Sequence, residues 1–435
     1  MDNIKPNVKE GTIRKTYFNL SVFQFLTFLR RGVFYTFMIT YLHMLMGTVT
    51  LTAALGTLNM IASSLGQNLL WGKICDKYNV RTKLIISGEM IAALTYAMVF
   101  LTHRYLRDSG SNFNAGLSLI FGLSILEFFW SMSDVGWAAL LTDVTTPQIR
   151  GKVIGTLNFI ASVGRMTGVL YSGFLYNEGE GFLNGTIFYI VIALLLAGVS
   201  LMVFTSRRIK TEKTNASYTP ATSTQEKNVP DPHAESSYKM FLISLIVIVL
   251  GTASVNQIFL LFLQLPNGLN FTDPQMTLIL SAWTVGGMIA SLAAGRLSDK
   301  LGRVKVIMIG LILAIITPLA YSFAFSIPLM AITYGLNGVS FGTIQTVGFV
   351  FAGDLIPKEK RGRLLGKYNT VMALSWGPAG ILIGGPLSDL QVAGFGLPPL
   401  TAYVNVFYVS SVIVLIGMAL FYIKAAKART SITKS

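Results

Sequence analysis

The sequence predicts an all-α membrane protein in which twelve transmembrane helices form two pseudo-symmetric six-helix bundles. Composition is the first observation: the 435 residues are 52% hydrophobic and only 12% charged, whereas soluble proteins contain about 25% charged residues. The second is a series of twelve mainly apolar runs, each near the length of about 20 residues that a spanning helix needs. The third is an internal repeat, because two motifs of the first half recur in the second half.

The twelve apolar runs are named TM1 to TM12 in chain order. They lie near residues 17–46, 51–71, 84–104, 116–142, 153–176, 186–205, 240–265, 276–295, 305–325, 328–352, 365–388 and 401–423. Gly and Ser occur within many of the runs, and small residues let membrane helices approach one another closely. The composition therefore favours a packed bundle of membrane helices.

The positions of the basic residues predict the topology. Of 34 Lys and Arg, only Arg30, Arg31 and Arg165 lie away from the ends of the spans, and two more follow TM3. The rest are at the N-terminus, on alternate loops, in the segment after TM6 and in the C-terminal tail. By the positive-inside rule, we expect a multi-pass protein of the cell (plasma) membrane with both termini in the cytoplasm. The net charge of +15 is then a topology signal, and no nucleic-acid partner is expected.

A polar segment divides the chain into two halves. Residues 206–238 are polar and have no helical periodicity, so we expect a disordered cytoplasmic linker. The predicted domains are an N-terminal six-helix bundle over residues 1–205 and a C-terminal six-helix bundle over residues 239–435.

The two halves share sequence motifs at equivalent places. GKICDK at 72–77 matches GRLSDK at 295–300, and DVTTPQIRGKVIGTLN at 143–158 matches DLIPKEKRGRLLGKYN at 354–369. Parallel six-helix repeats around a central site are a transporter architecture. The repeat therefore favours a membrane transporter over an enzyme.

The loop between TM8 and TM9, GRLSDKLGRVK, resembles the signature loop of the major facilitator superfamily. The matching residues are Gly295, Asp299, Lys300, Gly302 and Arg303. The first-half copy keeps Gly72, Asp76 and Lys77 but has Asn79 at the second glycine, where Asn tolerates a positive φ. The resemblance covers nearly the whole chain and implies the fold of that family and transport by alternating access.

In the family, the motif aspartate pairs with arginines near the cytoplasmic end of a facing helix. The resemblance implies that Arg150 and Arg361 are the candidate partners of the motif aspartates. Arg150 follows Asp143, and Arg361 follows Asp354, in each case with six residues between them. We expect these residues, with Asp76 and Asp299 of the motif, to hold a cytoplasmic gate shut in the outward-open state. The alternative is that the charges only set the topology.

TM5 partly resembles the glycine pattern of the antiporters in the family. The residues that fit are Gly155, Gly164, Gly168 and Gly173, whereas Val169 stands for the proline and Ser172 for one glycine. That departure argues against efflux, and close helix packing explains the glycines equally well. TM11 contains Pro378 and the pair Gly384–Gly385, which predict a bend that serves as a hinge.

Charged residues within the spans of the first half predict a functional site. A charge in the hydrocarbon core costs about 2.5–3.5 kcal/mol per residue even on lenient scales. Arg31, Glu127 and Arg165 fall at nearly the same depth, near the middle of TM1, TM4 and TM5. Asp134 lies two helical turns from Glu127 on the same face. A static ion-pair cluster is the alternative to a site for a proton and a solute.

In the functional interpretation, Glu127 carries the proton and Asp134 is the second candidate. Desolvation and nearby cations control whether a carboxylate is charged, so opening and closing of a cavity can load and release a proton. Arg165 and one TM1 arginine would hold the carboxylates or an anionic group of the solute. Arg31 is the better choice because it continues a polar stripe of TM1, although Arg30 stays a candidate. Glu89 is expected to be an interfacial group at the end of TM3.

The spans of the second half contain uncharged polar and aromatic candidates instead. They are Asn256 and Gln257 on TM7, Asn337 and Gln345 on TM10, and Trp376 on TM11, with Asn369 and Asn405 as further polar positions. Such groups suit solute recognition, and hydrogen bonding between helices is an equally good explanation. The asymmetry predicts proton chemistry in the first half and solute contacts shared with the second.

These observations predict a monomeric secondary transporter, driven by the proton gradient, that moves a small organic solute across the lipid bilayer. An excess of buried positive charge favours an anionic or polar solute, such as an organic acid or a sugar-like compound. Proton-coupled efflux of hydrophobic compounds is the alternative, and a receptor or a lipid scramblase are less favoured. No catalytic residues, cofactor or metal site are predicted, since the single Cys75 and the scattered histidines form no constellation.

Overall fold

The computed structural model describes residues 10–145, 147–213, 232–356 and 361–426. All regular secondary structure in these ranges is helical. Eleven of the helices are long and apolar enough to cross a membrane. TM1 is not among the eleven; it contains Arg30 and Arg31 and is interrupted after Tyr35. The predicted all-α membrane fold class is confirmed.

The helices of the first half match the six predicted spans. TM1 consists of Glu10–Tyr35 and Met38–Met46, TM2 of Val49–Leu65 with its continuation Gly66–Trp71 and Gly72–Tyr78, TM3 of Arg81–Asp108, TM4 of Asn112–Val144, TM5 of Pro147–Tyr176 and TM6 of Thr186–Lys213. A short turn, Asn177–Gly179, and the helix Glu180–Leu183 connect TM5 with TM6.

The second half repeats this order with more interrupted helices. TM7 consists of Pro232–Ser254 and Asn256–Gln264, TM8 of Asp273–Leu301, TM9 of Arg303–Tyr321, TM10 of Ile327–Leu355, TM11 of Arg361–Trp376 followed by Gly380–Gly384, Gly385–Asp389 and Leu390–Gly394, and TM12 of Pro399–Leu420 with Phe421–Ala426.

TM11 is irregular where a bend is predicted. Its first regular segment ends at Trp376, just before Pro378, which has no N–H to continue the helical hydrogen bonding. A wider, π-helical turn then spans Gly380–Gly384. Turns of this kind are frequent at functional sites. The hinge role of this segment stays a prediction.

The ends of the predicted linker are helical, which corrects its boundaries. TM6 continues to Lys213 and TM7 begins at Pro232, so residues 206–213 and 232–238 extend the neighbouring helices. Residues 214–231 lie outside the described part of the chain.

The two ends of the bundle differ in how the halves pack. We call the end that carries residues 72–81 and 295–303 the motif end, and the opposite end the far end. Near the far end a single apolar cluster runs through both halves, from Phe34 and Leu123 to Phe259 and Phe407. Near the motif end the apolar core is divided: one cluster surrounds residues of the second half, such as Phe241 and Phe351, and two separate clusters belong to the first half.

TM2 packs against TM11, and TM5 packs against TM8. A Cβ atom on Gly377 of TM11 would lie 2.9 Å from Met60 of TM2, and one on Gly173 of TM5 would lie 2.7 Å from the backbone oxygen of Asp273 of TM8. Towards the motif end, a Cβ atom on Gly155 of TM5 or on Gly295 of TM8 would meet nothing within 4 Å. Within the described ranges, the close contacts between the halves therefore lie from the middle of the helices to the far end, and there is open space at Gly155 and Gly295.

Candidate functional site

Trp130 on TM4 is the centre of the charged cluster in the first half. The guanidinium carbons of Arg31 and Arg30 lie 3.8 Å and 4.6 Å from the centre of its ring. Its indole N–H donates a hydrogen bond of 2.7 Å to Glu89 Oε1 on TM3. Cation–π contacts of this kind stabilise by about 2 kcal/mol or more when they are desolvated. An aromatic face thus replaces the carboxylate that sequence reasoning expected beside the arginines.

The two neighbouring arginines have different surroundings. Arg30 is only 2% exposed and donates one hydrogen bond of 3.3 Å to the hydroxyl of Tyr96 on TM3. Its Nε and Nη2 atoms are buried and have no hydrogen-bond partner among the described residues. Arg31 is half-buried and also lies over Phe28, 5.7 Å from the ring centre. Arg31 is therefore the more accessible arginine of the pair.

Glu89, expected to be an interfacial group, is packed in the core between TM3 and TM4. The side chain is 2% exposed, and Oε1 accepts hydrogen bonds of 2.7 Å from both Trp130 and Ser133 of TM4. The adjacent Gly88 allows this close contact, because a Cβ atom there would lie 2.9 Å from the Ser133 nitrogen. Helical rise alone gave the depth of Glu89 but not the neighbouring helix against which it packs.

The two carboxylates of TM4 have separate partners. Glu127 is 9% exposed, and its Oε1 accepts a hydrogen bond of 2.9 Å from the Tyr35 hydroxyl of TM1. Asp134 is half-buried and accepts one of 3.4 Å from Gln67 of TM2. Within the described ranges, neither carboxylate lies within 4.0 Å of an Arg or Lys nitrogen. The static ion-pair cluster considered from the sequence is therefore not formed in this structure.

Arg165 of TM5 reaches across to the second half. Its side chain is exposed, and its guanidinium carbon lies 5.7 Å from the ring centre of Trp283 on TM8. The same stretch of TM5 packs closely on TM1, since a Cβ atom on Gly32 would lie 2.5 Å from the Arg165 carbonyl oxygen. Arg165 thus stands where TM1, TM5 and TM8 meet.

The glycine pattern of TM5 serves helix contacts. Cβ atoms on Gly164 and Gly168 would lie 2.5 Å and 2.2 Å from the backbone oxygens of Phe25 and Leu29 on TM1. Gly155, in contrast, has open space around it. Close packing therefore explains the glycines in the middle of this helix without reference to the antiporter pattern.

A cavity in the second half brings most of the predicted polar residues together. It lies between TM7, TM8, TM10 and TM11 and is partly open to its surroundings. The side chains that line it are mainly aromatic, amide and hydroxyl groups with some aliphatic ones: Ile248, Val249, Thr252, Asn256, Trp283, Asn337, Ser340, Phe341, Ile344, Gln345, Met372 and Trp376. None of the lining residues is charged.

Gln257 does not line the cavity, and neither do the further polar positions Asn369 and Asn405. Gln257 lies between TM2 and TM11, where Cβ atoms on Gly56 and Gly380 would lie 3.2 Å and 2.8 Å from its side chain. Its Oε1 is buried without a partner among the described residues. Adjacent residues of a helix point in directions about 100° apart, so Gln257 faces different neighbours from Asn256.

Hydrogen bonds and ring contacts fix the cavity walls. The Trp283 indole N–H donates to Asn337 Oδ1 at 3.1 Å, and Asn337 Nδ2 donates to Thr317 Oγ1 of TM9 at 3.0 Å. Phe341 lies between two tryptophans, with ring centres 5.1 Å from Trp283 and 5.0 Å from Trp376. Sequence reasoning missed Trp283 and Phe341. The signal that could have found Trp283 was an indole, which needs a hydrogen-bond acceptor, in the middle of TM8.

The motif loops are tied to their own halves. Arg303 contacts Asp299 one turn earlier and lies 3.5 Å from Asp354 at the end of TM10. In the first half, Arg81 is 3.0 Å from Asp143 at the end of TM4. Asp76, the other motif aspartate, is exposed.

The expected partners Arg150 and Arg361 have side chains that lie outside the described part of the structure. The other motif positions, Gly72, Lys77, Gly295, Lys300 and Gly302, lie in or beside these two loops. The positive φ predicted at the second motif glycine is confirmed, with +56° at Asn79 and +91° at Gly302.

Comparison with known proteins identifies the family. The profile described as Major Facilitator Superfamily matches residues 20–266 and 241–435. An uncharacterized MFS-type transporter of Mycobacterium tuberculosis is 28% identical over 109 residues, which cover 25% of this chain and only 16% of that protein. A multi-drug resistance efflux pump PmrA homolog of Lactococcus lactis is 24% identical over 334 residues, 75% of this chain and 74% of the relative.

Solved structures share the fold at low sequence identity. The nucleoside transporter NupG superposes with a TM-score of 0.68 at 17% identity, covering 93% of this chain and 99% of that one. The inward-facing structure of a bacterial homologue of the iron transporter ferroportin superposes with a TM-score of 0.70 at 15% identity, covering 95% and 99% of the two chains. The chain belongs to the major facilitator superfamily, whose members are membrane transporters.

Proposed function

We propose that this protein is a proton-coupled secondary transporter that binds a small, polar, ring-containing organic solute in the cavity of the second half. The observation that carries the proposal is the lining of the cavity, which presents tryptophan rings and amide groups to one space. Pockets that recognise small molecules combine mainly apolar walls with a few placed polar groups.

The cavity chemistry favours a ring with several hydrogen-bonding groups. The faces of Trp283 and Trp376 suit a flat or sugar-like ring, and Asn256 and Gln345 offer both donors and acceptors. Arg165 lies over the Trp283 ring and has no carboxylate within 4.0 Å in the described structure. Its guanidinium can bind an acidic group of the solute, because it presents several N–H donors in one plane.

Glu127 is the proposed proton carrier. It lies in the middle of TM4, nearly buried, with the Tyr35 hydroxyl as its hydrogen-bond partner. A phenol can donate a hydrogen bond to a protonated or to an ionised carboxyl group, so this contact is compatible with both states. Tyr35 is the last residue of the first TM1 segment, so movement of TM1 at this break changes the surroundings of the carboxylate.

We assign the motif end to the cytoplasm, because the basic residues concentrate on its loops and because TM1 begins and TM12 ends there. With this orientation, the described contacts between the halves at the far end and the open space at Gly155 and Gly295 support an inward-open state. Alternating access then requires the far-end contacts to break and the motif loops to approach one another.

The test is a binding screen with matched variants. Purified protein is heated in detergent with classes of organic solutes, and a ligand raises the unfolding temperature because it binds only the folded state. We expect stabilisation by a polar cyclic solute, and we expect Trp376→Ala to weaken its apparent affinity at least about tenfold, since a buried ring contact contributes about 1.4 kcal/mol or more.

Asn267→Ala, in an exposed loop at the far end, is the control and should bind as the wild type does. Equal binding by Trp376→Ala and wild type would place the solute outside this cavity.

A second candidate function is efflux of hydrophobic compounds. It is favoured by the 24% identity to the efflux pump homolog over 75% of this chain. Cells that express the protein would then tolerate aromatic dyes better than cells with an empty vector. If dyes but no polar solutes stabilise the purified protein, the efflux proposal replaces the first one.

A further inference from the structure

We propose that Asp389 and Asp273 form the outer gate: two carboxylates of the second half that hold the far end closed by accepting backbone N–H groups of the first half. The inference rests on the proposed alternating access. Its test measures the conformation of the far end independently of transport.

Asp389 binds the beginning of TM2 with both of its oxygens. Oδ1 accepts a hydrogen bond of 3.0 Å from the Val49 nitrogen, and Oδ2 accepts one of 2.9 Å from the Thr50 nitrogen. These residues are the first two of the helix Val49–Leu65. The side chain that binds them belongs to TM11, in the other half of the protein.

TM2 has no cap of its own at this end. The preceding residue, Thr48, makes no capping hydrogen bond, and its hydroxyl is buried without a partner among the described residues. The first N–H groups of a helix lack partners within the helix, and the helix dipole attracts an anion to them. Asp389 therefore supplies from one half the cap that a helix of the other half needs.

A glycine permits this contact. A Cβ atom on Gly385, one turn before Asp389, would lie 2.5 Å from the Thr50 Cα atom. Because the obstructing atom is backbone, any side chain at Gly385 would hold TM11 away from TM2. The close approach and the carboxylate cap are thus built by the same short segment, Gly385–Asp389.

Asp273 makes a corresponding contact at the interface of TM5 and TM8. It is 6% exposed, and Oδ2 accepts a hydrogen bond of 2.9 Å from the Glu178 nitrogen, in the turn after TM5. Oδ1 accepts a weaker one of 3.4 Å from Gln264, which belongs to the same half as Asp273. Glu178 has a positive φ of +58°, a conformation that aims its N–H at TM8.

The two contacts share one chemistry and lie at the two interfaces between the halves. In each, a carboxylate of the second half accepts a charge-assisted hydrogen bond from first-half backbone, and such bonds are about twice as strong as neutral ones. Separation of the far ends must break all three backbone contacts of the two carboxylates. Asp389 and Asp273 therefore bias the protein towards the state in which the far end is closed.

The experiment measures distances between spin labels across the far end. Cys75→Ser removes the single native thiol, and reporter cysteines replace the exposed Asn114 of the first half and Asn267 of the second. In the absence of solute, the parent protein should show mainly the short distance. Asp389→Ala should increase the ratio of long to short distances about tenfold, equivalent to about 1.4 kcal/mol.

Two further variants and a control make the result decisive. Asp389→Asn keeps one acceptor without the charge and should give a smaller increase, and Asp273→Asn should act in the same direction. Asp108→Asn, an exposed carboxylate at the far end that pairs with Arg104 at 3.8 Å, should leave the distances unchanged. If Asp389→Ala unfolds, Asp389→Asn alone decides the question.

Unchanged distances in both folded Asp389 variants would overturn the gate. If neither the parent protein nor Asp108→Asn transports a solute, the proposed function is contradicted. The distance measurement still tests the gate in that case.

Discussion

Replacement of Glu127 by Gln is expected to abolish solute accumulation driven by a pH gradient while it leaves solute binding intact. Gln keeps an oxygen that accepts the hydrogen bond from Tyr35, so the local packing of TM1 and TM4 should persist. It cannot be ionised, so the cycle of proton loading and release cannot run through this position. In proteoliposomes with an imposed pH gradient, uptake should fall to the level of empty liposomes.

Exchange of labelled for unlabelled solute separates coupling from folding. Glu127→Gln should still catalyse this exchange, because the reaction needs movement of the loaded carrier but no net proton transfer. Glu180→Gln, an exposed carboxylate beside Asn184 at the far end, is the matched control and should accumulate solute normally. Gradient-driven uptake by Glu127→Gln at the wild-type rate would refute this role and make Asp134 the next residue to test.

Replacement of Gly168 by Val is expected to destroy the folded protein. A Cβ atom there would lie 2.2 Å from the Leu29 carbonyl oxygen and 2.9 Å from the Gly32 Cα atom, both of which are backbone. Overpacking of this kind costs about 1–3 kcal/mol, and more where backbone must move. The separation of TM1 from TM5 would also displace Arg165. Size-exclusion profiles and thermal unfolding in detergent measure the loss.

Gly155→Val is the control on the same helix. A Cβ atom at Gly155 meets nothing within 4 Å, so the same change there should leave the unfolding temperature close to that of the wild type. Equal stability of the two variants would contradict the close contact between TM1 and TM5.

The sequence predicted the fold class and the family because these depend on local patterns. Apolar runs of spanning length give the helices, and the repeated loop GRLSDK gives the symmetry and the family. The positive φ of Asn79 followed from its place in that motif. The linker boundaries were less accurate, since polar residues extend TM6 to Lys213 without an apolar signal.

The contacts within the site were less predictable, because they depend on how each helix is rotated and which helix faces it. Depth along the membrane placed Arg31 and Glu127 at one level, but the partner of Arg31 is the ring of Trp130. Glu89 became a core acceptor because Gly88 brings TM3 against TM4. Asp389 was not singled out at all, since its partners are backbone N–H groups of TM2.

The separation of charged residues from the uncharged cavity has a consequence for the evolution of this protein. Glu127 and the arginines belong to the first bundle, whereas the residues that line the cavity all belong to the second. Under the proposed mechanism, mutations in the second bundle can change the cargo while the energy source stays the same. We therefore expect a chimera that joins the first bundle to the second bundle of a relative to carry the relative's cargo, provided that the relative's bundle has carboxylates at the positions of Asp389 and Asp273.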